Sequence, residues 1–130
     1  SDADAVAHAL SVRGRVGSVA TIDEVFLDVV TVRIADLLAA EGMGDVGPLP
    51  ALARHDAEHG TDLVETAQAY LAHGGDVRDA AQMLHIHPNT LRNRVRRAHA
   101  ACGVDLDDAD TRLAVMLQLR AADLTGGDGH

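Results

Sequence analysis

Residues Asp76–Cys102, DVRDAAQMLHIHPNTLRNRVRRAHAAC, constrain the fold more than any other part of this 130-residue chain. Asp76 stands where a carboxylate can accept the free N–H groups that open a helix, here Val77–Leu84. Ala80 and Ala81 follow in that helix, and small side chains are needed where two helices cross closely. His85-Ile86-His87 interrupts the run. Pro88 restarts it, because proline's missing N–H costs nothing in a first helical turn. Leu84, Ile86, Leu91 and Val95 supply the apolar contacts that fix the interhelical angle. The pattern predicts two helices joined by a three-residue corner, one that lacks the glycine many such corners carry.

Helical phase divides the second helix. At ~100° per residue, Leu91, Val95, Ala98 and Cys102 share one stripe. Asn89, Asn93 and Arg96 lie opposite, flanked by Arg92 and Arg97. Arginine can fork onto guanine and asparagine onto adenine, so these residue types read base edges. His87 and Thr90 stand at the helix start, where side chains and free N–H groups meet phosphates or bases. Arg94 lies nearer the buried flank and is expected to pair with an acid of the chain itself. The candidate DNA-facing set is therefore His87, Asn89, Thr90, Arg92, Asn93, Arg96 and Arg97.

A net charge of −9 argues against a general polyanion binder. The distribution is more telling. His85–Ala101 holds four arginines and no acid, while the other seven arginines face all 20 acids. An acidic body with one basic helix fits site-directed DNA binding with weak non-specific affinity. An ordinary helix with a solvated arginine face, or a helical module that binds acidic protein, would carry the same charge.

The remaining chain predicts an all-α fold of five to six helices. Phe26 and Tyr70 are the only aromatic residues, so the core must be aliphatic, and no long apolar–polar alternation marks a sheet. Thr21 and Glu24 form a capping box for a helix over Thr21–Ala40, which Gly42 stops. Its apolar residues (Ile22, Val25, Phe26, Val29, Val30, Val32, Ile34, Leu37, Leu38) exceed one stripe, so two covered sides are expected, one packed on this domain and the other meeting an upstream domain or a second copy, unless the helix lies in the centre of the core. After a loop, a short helix is expected from about Pro50 to Glu58, ended by Gly60. Thr61 is expected to cap a helix through about His73, with Leu63, Val64, Ala67, Tyr70 and Leu71 inward and Gly74-Gly75 as its stop. Gly103 ends the second motif helix, and Asp105–Asp110 opens the last one, with Leu113, Met116, Leu117, Leu119 and Leu124 as its buried face. Residues 1–20 read as a linker or the end of an upstream region, 21–124 as the helical domain with its motif at 76–102, and 125–130 as a disordered tail. With Ser1 in place of an initial Met, a piece of a longer protein is expected.

Other chemistries find little support. Cys102 is the sole cysteine, which excludes an internal disulfide and fits a reducing, cytoplasmic setting; its place on the apolar stripe fits inert packing. No apolar run reaches the ~18 residues that span a membrane, and no signal peptide is evident. All eleven basic residues are arginine, which with abundant Ala, Gly, Val and Asp fits a GC-rich bacterial genome. His55, Glu58 and His59 match H-x-x-E-H, a zinc-protease pattern. Glu65 is the only later Glu for a third ligand, and Gly60 breaks the helix at once. His85 and His87 straddle a turn without a cysteine partner, a poor ligand geometry. No glycine-rich phosphate loop or nucleophile–base pair stands out. No catalytic residue, metal or cofactor is expected.

The words GGDVRDAAQMLHIHPNTLRNRV and GVDLDDADTRLAVMLQL resemble the C-terminal helix-turn-helix of PucR/CdaR-type bacterial transcriptional regulators. HDAEHGTDLVETAQAYL resembles what precedes that motif, so the resemblance covers roughly Leu49–Leu119, with a vaguer match over Thr21–Ala40. The core motif is also similar to that of the nucleoid protein Fis, in which an Ala-Ala helix leads into a Thr-Leu-Arg recognition helix. The resemblance implies an all-helical, Fis-like DNA-binding output domain, usually placed after a sensory or regulatory region, with double-stranded DNA as partner; such regulators are often activators and often dimers or larger assemblies, and a homodimer of the full-length protein is expected here. Its DNA-contact roles carry over best to Asn89, Thr90, Arg92 and Arg96. Asn93 stands where these regulators commonly have Tyr, and Val95 where they commonly have Leu.

Overall fold

A computed structural model describes residues 21–126. Among them lie six α-helices and no strand: α1 (Ile22–Ala40), α2 (Pro48–His59), α3 (Leu63–Ala72), α4 (Val77–Leu84), α5 (Pro88–Cys102) and α6 (Ala109–Gly126). The fold is all-α, as the composition requires. The linker expected over residues 1–20 and the end of the expected tail, 127–130, lie outside the described residues, while Thr125 and Gly126 still belong to α6. The described residues fall into two compact units, Asp45–Met116 and a smaller one made of 21–44 with 117–126.

The larger unit is built around α5, which packs against α2, α3 and α4. Its core holds Leu52, Leu63, Ala67, Tyr70, Leu71, Ala80, Ala81, Leu91, Ala98, Val104, Leu106 and Val115. Ala80 and Ala81 are fully enclosed, which lets the short α4 cross close to its neighbours. The α4–α5 boundaries agree with the sequence pattern. The Asp76 carboxylate accepts the Asp79 N–H at 2.9 Å, and Pro88 opens α5.

Three features depart from the sequence pattern. First, α2 begins at Pro48, two residues before the expected Pro50, because either proline fits a first helical turn and the chain uses the earlier one. Second, Thr61 does not cap α3. The backbone cap position is Asp62, whose side chain makes no capping bond. Asp56 from α2 does that work instead, accepting the Leu63 N–H at 2.8 Å, the Val64 N–H at 3.0 Å and the Thr61 hydroxyl at 2.5 Å. Burial pushes the Asp56 carboxyl up, but the bonds from Thr61, Val64 and Leu63 and the nearby His55 outweigh it and hold the group below the usual carboxylate range. Third, Leu113 and Met116 are exposed, at 59 % and 50 %, and the fully enclosed residue of α6 is Val115. Arg112 sets that rotation. Its Nε donates to the Leu106 carbonyl at 2.6 Å and its Nη2 to Asp107 at 3.2 Å, so the face carrying Arg112 and Val115 turns inward. Leu117, Leu119 and Leu124 are half-buried.

Tyr70 completes this corner, donating its hydroxyl to Asp107 at 2.5 Å beneath the Arg112 guanidinium, 5.6 Å from the ring centre. Burial and the Asp107 carboxylate push the phenol above its ordinary value of 10.0.

In the smaller unit, α1 starts as expected, with Thr21 Oγ1 accepting the Glu24 N–H at 3.1 Å. Among the described residues one side of α1 is covered and the other is exposed. The buried residues of α1 are Asp28, Thr31 and Val32, while Ile22, Phe26 and Leu37 are 88 %, 68 % and 62 % exposed. The buried side is organised by polar bonds. Arg120 of α6 donates to Asp28 at 2.9 Å, and the Thr31 hydroxyl donates to the Leu27 carbonyl at 2.7 Å. A buried carboxylate needs such a partner, and meeting that need decides which side of α1 turns inward.

Candidate nucleic-acid interface

The chain from Asp76 to Gly103 forms a helix, a corner and a second helix. The corner turns at His85, whose φ of 56° and ψ of 42° are left-handed. It is the only non-glycine residue with positive φ among the described residues, and it occupies the position that glycine takes in many such corners. The Ile86 N–H then returns to the Ala81 carbonyl at 3.0 Å, and the His85 N–H to Gln82 at 3.2 Å, closing α4. At the far end of α5, Gly103 is left-handed, with its N–H on His99 and that of Val104 on Ala98, both at 3.0 Å. Both ends of α5 are thus fixed.

The inward stripe of α5 agrees with its helical phase. Leu91 and Ala98 are enclosed, and Val95 and Cys102 are half-buried. Burial and the Asp56 carboxylate push the Cys102 thiol above its ordinary value, so it is held as the less reactive thiol. Arg94 lies on the flank and pairs with Asp62 at 3.8 Å. The outward side carries Asn89, Thr90, Arg92, Asn93, Arg96 and Arg97, all exposed, with exposed His87 just before the helix. The structure therefore brings all seven candidate residues onto one end and one side of α5.

Two details of that side are not legible from residue types. His87 is the N-cap, its Nδ1 accepting the Asn89 N–H at 3.0 Å. A ring nitrogen that accepts carries no proton, so the proton of the neutral ring sits on Nε2, which remains a donor. The asparagines are paired as well. Arg92 Nη1 donates to Asn89 Oδ1 at 2.8 Å, and Arg96 Nη1 to Asn93 Oδ1 at 2.9 Å.

Other candidate chemistry stays apart from this surface. His55 and His59 have ring centres 4.5 Å apart, but His55 Nδ1 donates to the Thr61 hydroxyl oxygen at 2.9 Å, whose own hydrogen goes to Asp56, and His59 faces Glu58 at 3.9 Å. Among the described residues no group of three or more His, Cys, Asp or Glu side chains could hold a metal ion. A shallow cleft of about 410 Å³ lies at the other end of α5, lined by Gly47, Pro48, Cys102, Gly103, Asp110 and Thr111 among others. No helix among the described residues is long and apolar enough to cross a membrane.

A short helix on an enclosed alanine pair, a three-residue corner and a second helix with an exposed basic side define a helix-turn-helix domain, a DNA-binding regulatory class. Residues 63–121 match the PucR C-terminal helix-turn-helix domain. Among similar proteins, the DNA-binding transcriptional activator AdeR of Bacillus subtilis is 28 % identical over 72 residues, covering 55 % of this chain and 17 % of AdeR. The proline-responsive transcriptional activator PutR of the same organism is 35 % identical over 71 residues, covering 55 % of this chain and 17 % of PutR. The uncharacterized protein Rv2242 of Mycobacterium tuberculosis is 40 % identical over 67 residues, covering 48 % of this chain and 16 % of that protein. No solved structure matches the chain significantly.

Proposed function

We propose that this chain is the DNA-binding output part of a bacterial transcriptional regulator, with α5 lying in the major groove. One observation carries the reading: the single acid-free, arginine-rich stretch of an acidic chain is also the exposed side of the second helix of a helix-turn-helix. His87 Nε2, Thr90 and Arg97 serve phosphates, and Arg92 and Arg96 serve base edges, with Asn89 and Asn93 on the same DNA-facing side. Arg94, paired with Asp62, stays with the protein. A role as transcriptional activator is carried by the names of AdeR and PutR and is part of the proposal.

A single recognition helix covers a few base pairs, so useful affinity calls for a dimer on half-sites ~34 Å apart. The exposed apolar side of α1, with Ile22, Phe26 and Leu37, supports a homodimer contact in the full-length protein, and residues 1–20 connect to an upstream sensory region in this reading. The setting is the bacterial cytoplasm, and the function is regulatory rather than catalytic.

The test is fluorescence anisotropy on operator-containing promoter DNA with the full-length regulator. Arg92→Ala with Arg96→Ala is expected to weaken specific binding by about a hundredfold or more, from ~1–3 kcal/mol per bidentate contact. Unchanged promoter binding by that double variant would rule out α5 as the reading helix.

A further inference from the structure

We propose that Asn89 and Asn93 are positioning residues that aim Arg92 and Arg96 at guanines, and that the half-site carries two guanines separated by about one base pair. The proposal rests on the functional reading above and adds to it which bases are read.

The geometry begins with the two bonds on the outward side of α5. Asn89 Oδ1 accepts Arg92 Nη1 at 2.8 Å, and Asn93 Oδ1 accepts Arg96 Nη1 at 2.9 Å. Arginine offers only donors, so the amide atom facing it must be the carbonyl oxygen, which fixes the orientation of each amide. An asparagine that reads adenine needs that oxygen for the adenine amino group while its own NH₂ addresses N7. Here the oxygen is engaged by a guanidinium. Each arginine has spent one Nη1 hydrogen and keeps the donors of its fork for O6 and N7 of a guanine.

The pairs also repeat. Asn89–Arg92 and Asn93–Arg96 are the same three-residue step, displaced by four positions along α5. Four residues advance a helix by ~6 Å and return to nearly the same face. Base pairs rise by ~3.4 Å, so two forks ~6 Å apart meet bases about two steps apart. All four side chains are exposed, so neither burial nor core packing accounts for the pairing. Arg94 and Arg97 have no such asparagine three residues before them: Leu91 and Arg94 stand there. The device is confined to the two arginines that helical phase turns outward with the asparagines.

The experiment is selection of bound sequences from a randomised duplex pool by the full-length regulator that carries this chain, run in parallel on variants whose folding is checked by circular dichroism. The unmodified chain is expected to enrich half-sites with two guanines spaced by about one base pair. Arg92→Ala should erase the preference at one guanine and Arg96→Ala at the other. Asn89→Ala should lower the guanine preference at the Arg92 position about tenfold while the Arg96 position keeps its own, and Asn93→Ala should do the reverse. Asn89→Asp retains an acceptor for Arg92 and should retain that preference at lower overall affinity. If Asn89→Ala leaves every preference unchanged, the pair is an ordinary helix-surface bond and the proposal falls. If it instead erases an adenine, the asparagine reads DNA itself and the proposal also falls. In both cases DNA binding by α5 stands. If the unmodified chain enriches nothing at any concentration, the functional reading fails and this inference with it.

Discussion

Replacing Asp56 by alanine tests how α5 is supported from beneath. The Asp56 carboxylate is the acceptor for the Leu63 and Val64 N–H groups and for the Thr61 hydroxyl, at 2.8, 3.0 and 2.5 Å. Loss of a helix N-cap costs about 1 kcal/mol, and the stranded Thr61 hydroxyl beside a half-buried His55 adds about as much again. The sum, ~2 kcal/mol, corresponds to a melting temperature lower by on the order of 10 °C for a small domain. Asp62→Ala is the control. Asp62 holds the nominal cap position but caps nothing, and its contact with Arg94 is 3.8 Å long and exposed, so its loss should cost less than ~0.5 kcal/mol. Urea unfolding followed by circular dichroism at neutral pH compares the two. Equal costs, or an Asp56→Ala cost below ~0.5 kcal/mol, would refute the cap assignment.

The same pair gives a pH signature. The folded-state pKa of Asp56 is depressed relative to about 3.9 in an unfolded chain. Its stabilisation is therefore complete above the unfolded value and lost as pH falls through the lower folded one. Asp108 is depressed as well, by hydrogen bonds from the Thr111 N–H and hydroxyl, and gives a slope of the same sign in every variant. The difference between the unmodified chain and Asp56→Ala should thus shrink as the medium is taken below about pH 4. A difference that grows on acidification would contradict the sign of the shift.

Three further outcomes follow from the structure. His85→Gly should leave stability unchanged or raise it by about 0.5 kcal/mol, because relief of a left-handed non-glycine residue outweighs glycine's entropy, whereas His85→Val should destabilise by ~1 kcal/mol or more; a clear loss with glycine would contradict the corner geometry. Leu91→Ala should cost ~2–5 kcal/mol in chemical unfolding, since Leu91 is fully enclosed, while Leu113→Ala on the exposed side of α6 should stay within ~0.5 kcal/mol. Arg97→Ala should weaken binding to all duplexes alike and make log K against log salt shallower by about 0.9, the signature of one phosphate contact; a change of base preference would move Arg97 to the reading set.

The helix-turn-helix was legible because its signals are local. Asp76, Pro88 and Gly103 each act on backbone groups within a few residues, and the Leu91–Ala98 stripe follows from helical phase alone. What was not legible depends on partners distant in sequence. The α3 cap comes from Asp56, seven and eight residues before the N–H groups it holds, so a rule based on the adjacent Thr61 selects the wrong residue. The buried side of α1 is decided by Arg120, 92 positions away from Asp28, and so an apolar-rich helix buries a carboxylate and a threonine while Phe26 faces outward. The rotation of α6 follows from Arg112 reaching the Leu106 carbonyl and Asp107, which no apolar count along the helix reveals. On the candidate interface, residue types gave the set of seven, but the pairing of Asn89 with Arg92 and Asn93 with Arg96 emerges only from side-chain geometry.

In the proposed function the outward side of α5 is the surface that meets DNA. Titrating the isotopically labelled chain with a short duplex and following backbone amides by nuclear magnetic resonance tests it residue by residue. The largest shifts are expected on His87, Asn89, Thr90, Arg92, Asn93, Arg96 and Arg97 and should vanish at high salt, with Leu91 and Ala98 moving less. Shifts centred on α1 or on the α2–α3 surface, with α5 unperturbed, would contradict it.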